Sequence, residues 1–349
     1  MNRASRRPIT LVTGFLGSGK TTLLRRFLAR PEARDTAVLV NEFGEVGLDH
    51  HLLQRLEEPT VLLGNGCVCC TLRDDLVRVL KDLLDRDQRG DIAPLARVLI
   101  ETTGLAEPAP LLFTVATDPM LQHHFRIAGV VATVDAVNGQ LHLDRHPASW
   151  KQVAMADEII VTKTDLAPPE TITLLLARLR ALNPAAHLTT AVLGDVDPSR
   201  LLTPRPVRGA VTRLADTAQP APPCMAPPAA GAGSRHAGET RSLCLSFDRP
   251  LDWIAWSVWL SMLLHAHGED VLRVKGLLNV GATGPVVLNG VQHILHPPEH
   301  LESWPDEDQR SHLVFILHAI APDDIVRSLQ AFQHLLGAYP TVDDMDLHL

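Results

Sequence analysis

Long apolar runs are missing from this chain, and so are long runs of one charge. Nothing in it approaches the roughly 20 consecutive apolar residues that a membrane-spanning helix needs, so no membrane partner is expected. The formal charge of −8, from 32 basic and 40 acidic side chains, is spread without blocks, so no nucleic-acid partner is expected either. Cysteine is scarce and bunched: three of the five lie between Cys67 and Cys70, which excludes a disulfide framework of the kind that staples secreted folds. Met1 to Pro8 carries three arginines, but the apolar run that follows is too short for the core of a secretory signal. Together these absences give a cytoplasmic protein as the expectation.

What is present begins with Gly14 to Thr21, which has the spacing G-x-x-x-x-G-K-[ST]. It lies between the apolar run Ile9 to Val12, read as a strand, and Thr22 to Ala29, read as a helix. Glycines let the backbone curl so that successive N–H groups face phosphate oxygens, and the N-terminus of a helix starting at Lys20 adds positive potential. Lys20 is expected to offset phosphate charge, and the Thr21 hydroxyl to hold Mg²⁺.

The 349 residues are enough for two domains. In the first, short apolar strands at Thr36 to Val40, Val61 to Leu63, Arg97 to Ile100, Gly129 to Val134 and Glu158 to Val161 alternate with helical patterns, including one that starts near Thr71. That alternation predicts a doubly wound parallel sheet with its ligand at the carboxyl edge. Asn41 to Gly47 is an acidic, glycine-bearing loop placed to sense nucleotide. Glu101, at the end of an apolar strand with Gly104 three residues on, is placed to hold Mg²⁺ through water while the glycine follows the γ-phosphate. Thr162-Lys163-Thr164-Asp165 ends another strand; a carboxylate at Asp165 accepts from both the ring N–H and the exocyclic amine of guanine, a pair that adenine does not present.

The expected boundaries are 1–212 for this domain, 213–240 for a Pro/Ala/Gly-rich linker, and 241–349 for a smaller α+β domain. The last domain shows strands at Leu243 to Phe247, Val271 to Val280, Val286 to Leu288, Val291 to Leu295 and Leu313 to Ala319. Trp253, Trp256, Leu260, Leu263 and Leu264 recur at helical spacing, and Asp323 to Leu335 reads as a closing helix. Successive strands without helices between them predict an antiparallel sheet. The tryptophans are read as packing against that sheet, with a partner-binding stripe as the alternative.

Cys67, Cys69 and Cys70 sit in one glycine-led loop. Three thiolates from a tight loop suit three corners of a tetrahedral site for zinc or a similarly soft ion and leave the fourth open. A reduced buried cluster or a redox pair is the alternative. The cluster lies between both nucleotide-sensing loops, so its metal is expected to respond to hydrolysis.

With these residues in view, the chain resembles the CobW-type metal-chaperone GTPases over nearly its full length. The resemblance rests on Gly-Phe-Leu-Gly-Ser-Gly-Lys-Thr-Thr, Asn-Glu-Phe-Gly-Glu-Val-Gly, Gly-Cys-Val-Cys-Cys-Thr-Leu-Arg, Glu-Thr-Thr-Gly-Leu-Ala-Glu-Pro and Thr-Lys-Thr-Asp. In the second half, Arg273 to Gly276, Gly290 to His293 and Leu313 to Ile316 are similar to the family's C-terminal domain. It implies a phosphate-loop GTPase domain followed by a CobW-like C-terminal domain, with GTP or GDP, Mg²⁺ and zinc bound and the metal passed to an apo-metalloprotein client. By matching motifs, Gly14, Gly17, Ser18, Gly19, Lys20, Thr21, Thr22 and Gly104 would serve the phosphates, and Lys163 and Asp165 the base. Lys20, Thr21 and Glu101 would carry catalysis, Thr21 and Glu101 the Mg²⁺, and the three cysteines the zinc. Thr162 stands where many GTPases carry Asn, the linker holds His236 alone in place of a His-rich run, and no Gln follows Gly104 to orient water. Two other readings stay open: a nucleotide-gated metal or redox sensor that delivers nothing, and, more distantly, a small-molecule kinase.

Overall fold

The computed structural model describes residues 6–40, 60–62, 71–202, 240–305, 307–337 and 341–342. The expected sensing loop Glu42 to Gly47, the cysteine cluster and nearly all of the expected linker lie outside the described residues. By its internal contacts the chain divides into two units, Met1–Leu179 with Ala186–Arg205, and Arg180–Ala185 with Pro206–Leu349. Among the described residues no helix is long and apolar enough to cross a membrane.

The first unit is built on a seven-stranded sheet. Its strands are β1 (Arg7–Gly14), β2 (Thr36–Val40), β3 (Thr60–Leu62), β4 (Arg97–Glu101), β5 (Phe125–Asp135), β6 (Glu158–Thr162) and β7 (His187–Thr190), in the order β3-β2-β4-β1-β5-β6-β7. Every neighbouring pair is parallel. The inner strands are apolar on both faces because both are covered. On one face, Val12, Val38, Val40, Leu99, Val131 and Ile160 pack with Leu23, Leu24, Phe27 and Leu28 of α1 (Lys20–Leu28). Between β3 and β6 come α2 (Thr71–Arg89), α3 (Ala109–Thr117), α4 (Pro119–His124), α5 (Gly139–Arg145) and α6 (Pro147–Met155), of which α6 packs on β1 and β5. Then follow α7 (Pro169–Leu182) and the short α8 (Ser199–Leu202).

The order decides where a ligand goes. The chain leaves β1 toward β2 on one side, and after β4 it crosses to β5 on the other, so the crevice at the carboxyl ends of β4, β1 and β5 is the topological switch point. Register brings Glu101 opposite Val12, Thr133 opposite Gly14 and Thr162 opposite Asp135. Residues far apart in sequence thus end at one edge.

The second unit carries an antiparallel sheet in the order β11-β10-β9-β13-β8-β14, with β12 on β10. The strands are β8 (Thr240–Phe247), β9 (Val271–Leu278), β10 (Val286–Val291), β11 (Ile294–Leu295), β12 (Glu299–His300), β13 (Ser311–His318) and β14 (Thr341–Val342). Thr240, expected as the last linker residue, is therefore already in the sheet. Two helices, α9 (Trp253–His267) and α10 (Pro322–Leu336), share a core with Phe247, Val274, Leu288 and Phe315. Asp252 starts α9 by accepting from the Ala255 N–H at 2.9 Å. Trp256 and Trp259 are buried in this core, with Trp259 Nε1 donating to Ser328 Oγ at 2.9 Å, so packing is what they do.

One turn falls where the sequence argues against it. Asn289-Gly290 is a strong hairpin signal, and the expected strands broke there. Instead both residues lie inside β10, with Asn289 opposite Lys275 and Gly290 opposite Val274 and Leu295. The chain reverses at Gln292-His293, with Gln292 in the left-handed region at φ 51°. Glycine is required at 290 for space: a Cβ there would lie 2.7 Å from Val274 Cγ1 and 2.9 Å from Leu295 Cδ2. Asn289 Oδ1 accepts from the Arg273 guanidinium at 3.2 Å, which gives its side chain a partner within the sheet.

Candidate functional site

The phosphate loop joins β1 to α1. No side chain caps α1, and the helix has no carboxylate of its own in its first turn, so the N–H groups of its positive end face the loop. Gly19, the N-cap residue, has φ +92°, a conformation that a β-carbon strains. Lys20 is 8% exposed and folds back across the loop, its Nζ donating to Gly14 O at 2.8 Å and Phe15 O at 3.2 Å.

Thr21 and Glu101, 80 residues apart in sequence, meet directly: Thr21 Oγ1 donates to Glu101 Oε1 at 2.8 Å. Glu101 is buried at the tip of β4. A hydroxyl and a buried carboxylate are hard oxygen donors, and that donor set fits Mg²⁺. Gly104 packs flat against the phosphate loop; a Cβ on it would lie 2.6 Å from Leu16 N and 2.8 Å from Leu16 Cα.

Ser18 holds the loop's shape more than it faces a ligand. Its N–H donates to Phe15 O at 3.1 Å, and its hydroxyl lies 2.6 Å from Thr133 Oγ1 on β5. Thr162 supplies the brace that its position calls for, with Oγ1 donating to Ser18 O at 2.7 Å. The hydroxyl in place of an amide thus still ties β6 to the phosphate loop. Thr22 is exposed on the first turn of α1, and Asp165 is exposed just beyond β6.

Lys163 takes a left-handed backbone conformation, φ 57°, and its Nζ donates to Asp135 Oδ2 at 2.8 Å. Asp135 was not foreseen. It is 2% exposed and also accepts from Val137 N at 2.8 Å and Asn138 Nδ2 at 3.2 Å. Burial alone would raise its pKa; the Lys163 ammonium and the hydrogen bonds from Val137 and Asn138 outweigh it and hold the carboxyl below its ordinary value. The signal available in the sequence was an acid closing the apolar strand Gly129 to Val134.

Phe15 was likewise passed over. Its ring stacks on His146 at 4.4 Å and leans on His142 at 4.6 Å, so α5 grips the phosphate loop through one aromatic side chain. Burial, helped by the nearby His146 and Lys163 and opposed by Asp135, pushes the His142 pKa down, which keeps it neutral at neutral pH.

The thiols proposed for zinc lie outside the described residues. Among the described residues no group of three or more His, Cys, Asp or Glu side chains is disposed to hold a metal, and Cys244 is buried.

Comparison with known proteins matches both halves of the chain. Residues 8–190 match the model of the CobW/HypB/UreG nucleotide-binding domain, and residues 240–333 that of the cobalamin synthesis protein cobW C-terminal domain. The chain is 33% identical over 309 residues to zinc chaperone YjiA of Escherichia coli (strain K12), covering 88% of this chain and 93% of the relative. It is 27% identical to the zinc-regulated GTPase metalloprotein activator 1 of Schizosaccharomyces pombe, covering 90% and 84%. The crystal structure of the Zn(II)-bound YjiA GTPase from E. coli superposes with a TM-score of 0.66 at 26% identity, covering 95% of this chain and 99% of that one.

Proposed function

The chain belongs to the CobW/HypB/UreG family, and from that premise we propose that it is a GTPase whose nucleotide cycle loads and releases zinc as cargo for an apo-metalloprotein client. One observation carries the GTPase half: the Thr21 hydroxyl and the buried Glu101 carboxylate come together at 2.8 Å beside the Lys20 loop. These two groups would hold Mg²⁺, which would supply positive charge to the phosphate oxygens. Lys20 then adds its own charge, the first turn of α1 offers its N–H groups, and Gly104 lies close enough to the loop to follow a γ-phosphate. Catalysis by such a site is electrostatic and positional. The zinc half is supported by the C-x-C-C thiols and by relatives named zinc chaperones. A cytoplasmic location and a linker over residues 213–239 belong to the same reading.

Guanine choice is assigned to Asp165, whose carboxylate is exposed at the edge next to the paired Lys163. Asp165→Asn is expected to lower GTP affinity about tenfold or more with little change in Tm, because an amide cannot accept from both guanine donors. Equal competition by GTP and ATP for the unmodified protein would remove Asp165 from this role.

Zinc affinity is expected to differ between the two nucleotide states. Allosteric coupling free energies of about 1–3 kcal/mol correspond to about 5- to 150-fold, and linkage requires zinc to shift nucleotide affinity by the same factor. Competitive zinc titration with a non-hydrolysable GTP analogue and with GDP reads this. Replacing Cys67, Cys69 or Cys70 by Ser should weaken zinc in both states, because a hard hydroxyl replaces a soft thiolate. Equal affinities in the two states would leave a zinc-binding GTPase without gated release. Transfer of zinc to a purified apo-client separates delivery from sensing.

A further inference from the structure

Helix α6 holds the Gly104–Glu107 segment with two adjacent side chains. Gln152 Nε2 donates to Gly104 O at 3.1 Å and to Ala106 O at 3.0 Å, and Lys151 Nζ donates to Glu107 Oε1 at 2.6 Å. Within the segment, Ala106 N donates to Thr103 O at 3.1 Å. The carbonyls of Thr103, Gly104 and Ala106 therefore all have donors, one internal and two from a single carboxamide. Fixing a carbonyl fixes its peptide plane.

Gln152 is 1% exposed, and its own Oε1 is buried with no hydrogen-bond partner among the described residues. Leaving a buried acceptor unpaired is costly, and native proteins do it rarely. Packing alone would favour an apolar side chain of the same shape. The two N–H groups are what the position keeps. On its other side the segment rests on the phosphate loop, since Gly104 has no room for a Cβ beside Leu16. The same stretch of chain, α5 into α6, holds Phe15 between His142 and His146. Both loops that meet the terminal phosphate are thus braced by the residues between His142 and Gln152.

We propose that Gln152 is a positioning residue for the γ-phosphate: it sets the Thr103–Ala106 turn so that the Gly104 peptide is held against the phosphate loop when GTP is bound. The inference rests on the reading of Gly104 as the residue that follows the γ-phosphate. GDP has no γ-phosphate and does not engage the turn, so Gln152 acts on the GTP state alone.

Gln152→Met tests this in the full-length protein. Methionine keeps the length and volume while removing both donors and the unpaired acceptor, so the fold is expected to survive. Affinity for a non-hydrolysable GTP analogue and kcat for GTP should each fall about tenfold, with GDP affinity unchanged within about twofold. In Gln152→Glu a carboxylate faces two carbonyl oxygens; turnover relative to wild type should be lower still and should recover as the pH is lowered, because protonation returns one donor. That pH profile also provides the readout if the methionine variant does not fold. Parallel loss of GDP and GTP-analogue affinity would make Gln152 a purely structural residue and overturn the proposal, as would wild-type kinetics in Gln152→Met. Normal GTP turnover in the unmodified protein with either result removes this inference alone, whereas no turnover in the unmodified protein removes the GTPase reading beneath it.

Discussion

Lys20→Ala is expected to lower GTP turnover by about 10²-fold or more and to weaken GTP binding, the loss typical for one preorganised electrostatic group. The lysine is buried inside its own loop, its ammonium held at 2.8 Å from Gly14 O and 3.2 Å from Phe15 O. It is thus oriented before any ligand arrives, and little reorganisation is needed at the moment of reaction. Alanine leaves two carbonyls without that donor and the phosphates without their nearest fixed charge. Single-turnover hydrolysis together with nucleotide titration checks this, with Tm measured alongside to account for the lost hydrogen bonds. Wild-type turnover in this variant would show that the loop is not the catalytic phosphate cradle.

Gly104→Ala should also be severe, about ten- to a hundredfold in kcat/KM for GTP. The added methyl group would sit 2.6 Å from Leu16 N, and backbone, unlike the end of a flexible side chain, has nowhere to turn. Either the phosphate loop or the Thr103–Ala106 turn must move. Overpacking of this kind costs about 1–3 kcal/mol. Gly104 does not have a positive φ, so the effect comes from close approach and not from backbone conformation. A larger loss for GTP than for GDP is expected, because the displaced turn is the part proposed to serve the γ-phosphate. Unchanged GTP kinetics would mean that the contact with Leu16 is given up in the working state.

The local chemistry of the site was written in consecutive residues. The spacing from Gly14 to Thr21, an acid at the end of the strand Arg97 to Glu101, and Thr162 to Asp165 after an apolar run each depend on neighbours only a few positions away. The alternation of apolar strands and helices gave the parallel sheet for the same reason: β1, β2, β4 and β6 are buried on both faces and contain almost nothing polar except at their ends. The spacing of Trp256, Leu260, Leu263 and Leu264 likewise marked the buried face of α9.

Other features were decided by contacts that no local pattern records. β7 is half-exposed and only weakly apolar, and it is a strand because β6 offers it a parallel edge. β12 is the pair Glu299–His300, exposed, and it owes its conformation to β10 alone. Asn289-Gly290 had the composition of a turn but became part of a strand, because Val274 and Leu295 close over the glycine and Arg273 takes the asparagine oxygen. In the site, Asp135, Phe15 and Gln152 were invisible for a common reason. Each acts on a partner distant in sequence or in a different element: Asp135 on Lys163, Phe15 on His142 and His146, Gln152 on Gly104 and Ala106. The sequence by itself determined which groups are expected to meet phosphate, because phosphate recognition uses one turn of backbone. Only the tertiary structure decided what holds those groups in place, because the braces come from wherever the sheet order brings another strand end or helix to that edge.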